Sequence, residues 1–253
     1  MCKQCERSTK KEYGSDKRCA GCCKTLPLKN FSKDGYWLNS NCRQCNRNVV
    51  LAQRFGMTIY DYEELWTSQG EACAICCKLP SQEKSKFGID HDHSTGQVRG
   101  ILCMRCNIGL GLVGDCPEVI NKMPDYLTCN LNIDPEPKKR GGVKAVPIPE
   151  KGINLRKVYN LRGAFNISPE MYLSILELQQ NKCAICLELF GNKICVDHDH
   201  GTSKIRGLLC GPCNSALGLF GESIEILQKT INYIKNPPNS NPKFKSFRHL
   251  SRH

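Results

Sequence analysis

The feature that most constrains the fold is a set of cysteine pairs with C-x-x-C spacing. The chain has 19 cysteines in 253 residues, and most of them stand in such pairs. Cysteine at this density indicates either a disulfide scaffold or metal sites. The chain begins with polar and basic residues instead of an apolar signal segment, and C-x-x-C spacing suits zinc. We therefore expect zinc sites in a reducing, cytoplasmic setting. No apolar run of about 18 residues occurs, so no transmembrane helix is expected.

Two stretches of the chain repeat each other. The first is CAICCKLPSQEKSKFGIDHDHSTGQVRGILCMRCNIGLGLVG, and the second is CAICLELFGNKICVDHDHGTSKIRGLLCGPCNSALGLFG. From the DHDH motif onward the offset between them is 107 residues. Only the segment between the first cysteine pair and DHDH changes length, as a surface loop tolerates. A helical stretch ending in glutamine precedes each copy, and further helices are predicted near 117–128 and 222–235. The chain therefore carries one module twice.

Composition around the two copies predicts the division into domains. The segment between them is rich in proline, glycine and lysine, which is typical of a linker. The C-terminal residues are basic and polar, which predicts a disordered tail. The predicted domains are a basic zinc ribbon at 1–50, a first module at 51–130, a linker at 131–152, a second module at 153–236 and a tail at 237–253.

Three sets of four cysteines are predicted to hold structural zinc. In each repeat one C-x-x-C pair is followed by a second, and four thiolates close a tetrahedral shell. Free or disulfide-bonded cysteines are the alternative. Cys2 and Cys5 form a further pair with no evident second half, and Cys23 and Cys77 adjoin ligands and could compete with them. The predicted ligands are Cys19, Cys22, Cys42 and Cys45 in the ribbon, Cys73, Cys76, Cys103 and Cys106 in the first copy, and Cys183, Cys186, Cys210 and Cys213 in the second.

The candidate catalytic residues lie in and after the DHDH motif. Four of the six histidines of the chain stand in its two copies. Alternating apolar residues before DHDH predict a strand, a turn and a returning strand follow, and the second cysteine pair opens a helix that carries an asparagine. Strict alternation would place Asp90 and His91 on opposite faces, so the strand must twist, bulge or end there for both to serve one site. The set is Asp90, His91, His93 and Asn107 in the first copy and Asp197, His198, His200 and Asn214 in the second.

These residue types suit phosphodiester hydrolysis. Carboxylate and amide oxygens such as those of Asp90 and Asn107 suit Mg²⁺ or Mn²⁺, and a neutral His91 could accept the proton of the attacking water. His93 could contact the phosphate. In the alternative interpretations the histidines are zinc ligands, or DHDH is a solvated turn. Arg99 and the equivalent Arg206 either contact phosphate or are ordinary surface residues.

Charge indicates a polyanionic partner. The formal net charge is +12, and three zinc ions held by twelve thiolates would reduce it to about +6. The excess lies at the two ends, because residues 1–54 hold 12 basic and 4 acidic side chains and the last 18 residues hold four basic and no acidic side chains. Nucleic acid is therefore the expected partner. A zinc-finger protein that binds nucleic acid without catalysis, or an adaptor, is the alternative function.

The motifs resemble those of the phage recombination endonuclease VII family within the HNH nucleases. The resemblance rests on C-x-x-C, then DHDH, then R-G-x-L-C-x-x-C-N. It implies an α+β chain of two ββα-metal (HNH, or His-Me finger) modules behind a zinc ribbon, three structural zinc ions and two catalytic divalent ions. It also implies a general base at His91 and His198, assisted by His93 and His200, and metal held by the aspartate and asparagine.

Two departures from the family pattern shape the functional expectation. The founding, junction-resolving member has an acidic residue three positions after the asparagine, where this chain has Leu110 and Leu217. That member also works as an intertwined dimer, whereas this chain repeats its module. We expect two active sites in one chain, a monomeric pseudo-dimer with no membrane association, cutting duplex or branched DNA in the cytoplasm of a phage host.

Overall fold

A computed structural model describes residues 15–135 and 167–245, apart from 85, 130, 132, 192 and 240–242. Cys2 and Cys5, most of the predicted linker and most of the predicted tail lie outside these residues. The fold mixes helices with two-stranded sheets, which confirms the α+β class. Within the described part, no helix is both long and apolar enough to cross a membrane.

The contacts divide the chain into two compact units. Among the described residues, the first unit comprises 15–68, 91–98 and 243–245, and the second comprises 69–90, 99–135 and 167–239. The second unit therefore holds most of both repeats.

Two hairpins and two helices make up the N-terminal part of the first unit. Cys19, Phe31 and Cys42 form its buried centre. The backbone of Thr58 donates to the Asp61 carboxylate at 2.7 Å, which caps the second helix. The elements are β1 (Asp16–Arg18) paired with β2 (Thr25–Pro27), a 3₁₀ turn (Leu28–Asn30), β3 (Phe31–Asp34) paired with β4 (Trp37–Cys42), α1 (Arg43–Phe55) and α2 (Ile59–Ser68).

Each repeat forms a hairpin followed by two helices, as its pattern predicts. Ser168 caps its helix by accepting from the backbone of Met171 at 3.2 Å, and Pro169 occupies the first helical position. The first copy has a 3₁₀ turn (Pro80–Gln82), β5 (Gly88–His91), β6 (Val98–Leu102), α3 (Met104–Leu112) and α4 (Pro117–Thr128). The second copy has α5 (Pro169–Leu178), β7 (Ile194–His198), β8 (Ile205–Cys210), α6 (Gly211–Leu219) and α7 (Ile224–Lys235).

A glutamine fixes the second strand of each hairpin. The side chain of Gln69 accepts from the backbone N–H of Ile101 at 2.8 Å and donates to its carbonyl at 2.9 Å. Gln179 makes the same two bonds to Leu208, at 2.8 and 2.9 Å. This explains why the helix before each cysteine pair ends in glutamine.

The two copies share one hydrophobic core inside the second unit. Helix α3 packs against its counterpart α6, and α4 packs against its counterpart α7. Contact between equivalent surfaces is the arrangement of a two-fold symmetric dimer, here within one chain. Leu110 and Leu217 are 0% and 1% exposed and belong to this core. An acidic side chain there would be buried at high cost, which accounts for the leucines.

Candidate active and metal sites

Three clusters of four cysteines can each hold a metal ion. Within a cluster the sulfur atoms all lie within 4.8 Å of one another. The Cys19–Cys45 and Cys76–Cys103 pairs are separated by 3.7 Å. Zinc–sulfur bonds of about 2.3 Å in a tetrahedron place the sulfurs about 3.8 Å apart, whereas a disulfide needs about 2.05 Å. The donors therefore fit zinc, and the twelve ligands predicted from spacing are the ones that the fold brings together.

Backbone geometry aims the sulfurs of each cluster at a common point. The residue after each first C-x-x-C pair has positive φ, namely 59° at Cys23, 58° at Cys77 and 65° at Leu187. The backbone N–H of this left-handed residue donates to the carbonyl of the first cysteine, at 2.9–3.0 Å in the three clusters, and so closes the turn that carries the two thiols. Cys23 and Cys77 are exposed and are not members of the clusters.

The second cysteine pair of each cluster sits at the start of a helix. Cys42, Cys103 and Cys210 are the N-cap residues of α1, α3 and α6. The positive end of the helix dipole favours thiolate at these positions.

The two histidines of each DHDH motif lie side by side. The ring centroids of His91 and His93 are 5.0 Å apart, and those of His198 and His200 are 4.9 Å apart. In both copies the first histidine is half-buried and the second is exposed. Each pair therefore presents two imidazoles at one end of a hairpin.

A bulge interrupts the second hairpin at the point where the sequence required a twist, a bulge or an end of the strand. Asp197 lies opposite Gly207, but His198 lies opposite Ile205, so the register shifts between the aspartate and the histidine. Arg206 is the extra residue on β8. The extra residue thus lies on the strand opposite the DHDH motif, where its side chain reaches Asp197. The strands that carry the motif themselves end at its first histidine, at His91 and at His198.

The second aspartate of each motif holds the hairpin turn, a role that sequence reasoning missed. Asp92 accepts backbone hydrogen bonds from Ser94 and Thr95, both at 2.8 Å. Burial raises the pKa of Asp92, but these hydrogen bonds outweigh it and hold the pKa at about 2. Asp199 accepts from Gly201 and Thr202 in the same way. Such turns are typical of aspartate followed by small polar residues.

The first aspartate of each motif is clamped by an arginine. Asp90 accepts from Arg99 Nε at 2.7 Å and from Nη2 at 3.0 Å. Asp197 accepts from Arg206 in the same bidentate geometry, at 2.7 and 3.1 Å. The two arginines are 3% and 4% exposed, so neither is a surface residue. Burial raises the pKa of Asp90, against the lowering effect of Arg99.

A second acidic residue meets each arginine from the loop after the following helix. Asp115 lies 3.2 Å from Arg99 Nη2, and its counterpart Glu222 lies 2.8 Å from Arg206 Nη1. Glu222 also lies 2.8 Å from His200 Nδ1. Burial raises the pKa of Glu222, but Arg206 and His200 lower it by more than burial raises it. The pKa therefore lies below its ordinary value, and the carboxylate form is favoured.

A tyrosine from the other copy donates a further hydrogen bond to each of these aspartates. Tyr233 in α7 donates to Asp90 Oδ2 at 2.7 Å, and Tyr126 in α4 donates to Asp197 Oδ2 at 2.8 Å. Burial and the neighbouring carboxylate raise the pKa of both phenols, so both stay protonated donors. Sequence reasoning missed these residues, although the two tyrosines are themselves 107 positions apart.

The asparagine of each copy lies in the first turns of the helix after the hairpin. Asn107 is half-buried in α3, and its Nδ2 lies 3.0 Å from the position that a Cβ would take at Gly88. It therefore lies against β5, the strand that carries Asp90. Asn214 occupies the equivalent position in α6 and is half-buried as well.

The arginine clamp predicts a large effect of substitution. Arg206→Met leaves Asp197 buried without its ionic partner, which is expected to lower the free energy of unfolding by about 3–5 kcal/mol. The matched control is Lys204→Met, because Lys204 pairs at 3.5 Å with an exposed Asp134 and should change stability by less than about 1 kcal/mol. Urea denaturation followed by circular dichroism measures both. Equal stability of the two variants would contradict the clamp.

Comparison with known proteins identifies the family. The profile described as "Recombination endonuclease VII" matches residues 48–129 and 158–236, which is more than half of the chain. The chain belongs to this family and carries its domain twice, which confirms the resemblance found in the sequence.

Relatives among curated proteins come from bacteriophages. The chain is 43% identical over 79 residues to the "Gene 59 protein" of Mycobacterium phage D29, covering 30% of this chain and 48% of that protein. It is 42% identical over 79 residues to the "Gene 59 protein" of Mycobacterium phage L5, with the same coverage. The chain thus spans about half the length of these relatives. No solved structure matches it.

Proposed function

We propose that this chain is a metal-dependent DNA endonuclease of the HNH, or ββα-metal, type, with two active sites. The observation that carries the proposal is the duplicated arrangement of hairpin, cysteine cluster and helix. In both copies this arrangement holds an aspartate, two neighbouring histidines and an asparagine. Membership of the endonuclease VII family supports phosphodiester hydrolysis of DNA as the reaction.

The histidines have different roles in this proposal. His91 and His198 are half-buried, and as neutral imidazoles they would accept a proton from the attacking water. His93 and His200 are exposed beside them and are placed to contact the substrate phosphate. The buried Arg99 and Arg206 hold the aspartates rather than substrate in this structure, so phosphate contact by them would require a rearrangement.

The aspartate and asparagine oxygens of each copy fit Mg²⁺ or Mn²⁺. A carboxylate has about four acceptor positions, and Asp90 uses three of them for Arg99 and Tyr233. The remaining position is on Oδ1, so Asp90 Oδ1 and the Asn107 amide oxygen would hold the ion, with water completing its shell. A bound cation would offset the charge that develops on the phosphate. Asp197 and Asn214 are the equivalent donors.

Two sites in one chain suit a substrate with two strands. Equivalent helices of the two copies pack together, so the two copies share one hydrophobic core. We propose duplex or branched DNA as the substrate and a single chain as the active species. The basic domain at 1–50 would hold DNA, the copies would lie at 51–130 and 153–236, and the zinc ions would be structural.

A cleavage panel tests the proposal. The purified chain is incubated with supercoiled plasmid, linear duplex and a four-way junction, each with Mg²⁺, with Mn²⁺ or with neither. Cutting that requires a divalent ion is expected, and mapping the products to the nucleotide defines the preferred substrate. Salt-sensitive binding without cutting in either ion would instead support a non-catalytic nucleic-acid-binding protein.

A further inference from the structure

Each copy of the module supplies a tyrosine that binds the aspartate of the other copy. Tyr126 belongs to the first copy but donates to Asp197 of the second, and Tyr233 belongs to the second copy but donates to Asp90 of the first. We propose that these tyrosines are positioning residues that each copy supplies to the other copy's active site, so that neither site is complete alone. This inference rests on the proposed function, because it concerns the carboxylates assigned to the active sites.

The hydrogen bonds determine which oxygen of the aspartate remains available. Oδ2 of Asp197 accepts from Arg206 Nε at 2.7 Å and from Tyr126 at 2.8 Å, which fills both of its acceptor positions. Oδ1 accepts a single bond, from Arg206 Nη2 at 3.1 Å. The terminal torsion of aspartate is soft, so the arginine alone would leave the carboxylate less firmly oriented. The tyrosine fixes Oδ1 as the oxygen that is presented.

The glycine after each arginine makes room for the incoming tyrosine. A Cβ at Gly100 would lie 3.1 Å from the Tyr233 hydroxyl, and a Cβ at Gly207 would lie 3.4 Å from the Tyr126 hydroxyl. The first distance is tighter than an ordinary contact and the second is an ordinary one, and the glutamine is nearer in both places, at 3.0 Å for Gln69 and 3.1 Å for Gln179. The R-G pair of each repeat thus combines an arginine that clamps the aspartate with a glycine against which the glutamine and the other copy's tyrosine both pack.

The helices that carry the tyrosines each bury one face between the two copies. Tyr126 and Tyr233 are 7% and 3% exposed and belong to the shared core. Ile120 and Met123 of α4 and Leu227 of α7 are fully buried in the same cluster. The packing that joins the copies therefore also sets the position of each hydroxyl.

A crossed set of variants tests the proposal. Tyr126→Phe and Tyr233→Phe remove only a hydroxyl, and each is combined with His91→Ala or His198→Ala so that one site at a time can be assayed. Tyr172→Phe is the matched control, because Tyr172 is a buried tyrosine of α5 in a separate hydrophobic cluster. Plasmid nicking is measured against Mg²⁺ concentration, and Mn²⁺ binding is titrated without DNA. Thermal melting verifies that each variant is folded.

Each tyrosine is expected to affect the active site of the other copy and not that of its own copy. With His91→Ala, where only the second site cuts, Tyr126→Phe should slow nicking about tenfold or more, and Tyr233→Phe should slow it no more than the control does. With His198→Ala the two tyrosines should exchange roles. Each Tyr→Phe change should also weaken one of the two Mn²⁺ sites.

Two other results overturn the proposal at different levels. Equal effects of both tyrosines on either site, or none on nicking and on Mn²⁺ binding, would refute the exchange while leaving the nuclease assignment intact. Full cutting by the chain that lacks both His91 and His198 would refute the proposed function, and the inference would fail with it.

Discussion

Replacing both His91 and His198 by alanine is expected to slow DNA cleavage by about 10²–10⁴-fold, the usual contribution of a general base. Each single variant keeps one complete site. On supercoiled plasmid the single variants should therefore accumulate nicked circles under conditions in which the unmodified chain produces linear DNA. This distinction would show that the two sites act on opposite strands.

The control for the histidine variants is His249→Ala, because His249 lies outside both copies. It should cut at the unmodified rate. Melting curves should show that the double variant remains folded, because His91 and His198 are only half-buried. A folded double variant that cuts at the unmodified rate would exclude these histidines as the base.

Features with fixed local spacing were predictable from the sequence. The cysteine clusters follow from C-x-x-C pairs, because each pair needs only a tight turn to aim two sulfurs at one ion. The helix predicted near 117–128 runs from Pro117 to Thr128, and the one predicted near 222–235 runs from Ile224 to Lys235. The need for a twist, a bulge or an end of the DHDH strand followed from the alternation of side chains alone, and the strands end at His91 and His198.

Features that depend on how the copies pack were not predicted. Arg99 and Arg206 could be placed on phosphate or at the surface, because their partners depend on hairpin pairing and burial. The tyrosine exchange joins residues 71 and 143 positions apart in the chain. The repeat does contain a signal for this pair, because Tyr126 and Tyr233 lie 107 positions apart, the same offset as the two DHDH motifs.

The shared core changes the meaning of the repeat. Two copies that met only through a linker would bind and cut independently. Here Leu110 and Leu217 are buried in one cluster that also includes cysteines of both zinc sites, such as Cys106 and Cys213. Loss of structure in one copy therefore exposes the core of the other, and the two copies should unfold together.

Replacement of Cys73 by serine is expected to unfold the second unit at ordinary temperature. Zinc binding contributes about 10–16 kcal/mol to the folding of small zinc domains, whereas a whole domain is stable by only about 5–15 kcal/mol. Cys73 is 1% exposed and lies in the shared core, so a poorly ligated metal there affects both copies. The variant should lose cleavage by both sites, not by the first alone.

Cys77→Ser is the matched control, because Cys77 is exposed, lies one residue from a ligand and is not in the cluster. Zinc content and thermal melting are measured together. The unmodified chain and Cys77→Ser should each hold three zinc ions and melt alike, whereas Cys73→Ser should hold fewer and melt without a cooperative transition. If Cys73→Ser kept three ions and a normal transition, the first cluster would not be a structural zinc site. If it lost one ion and one site's activity while the other copy stayed folded, the copies would be independent domains and not halves of one core.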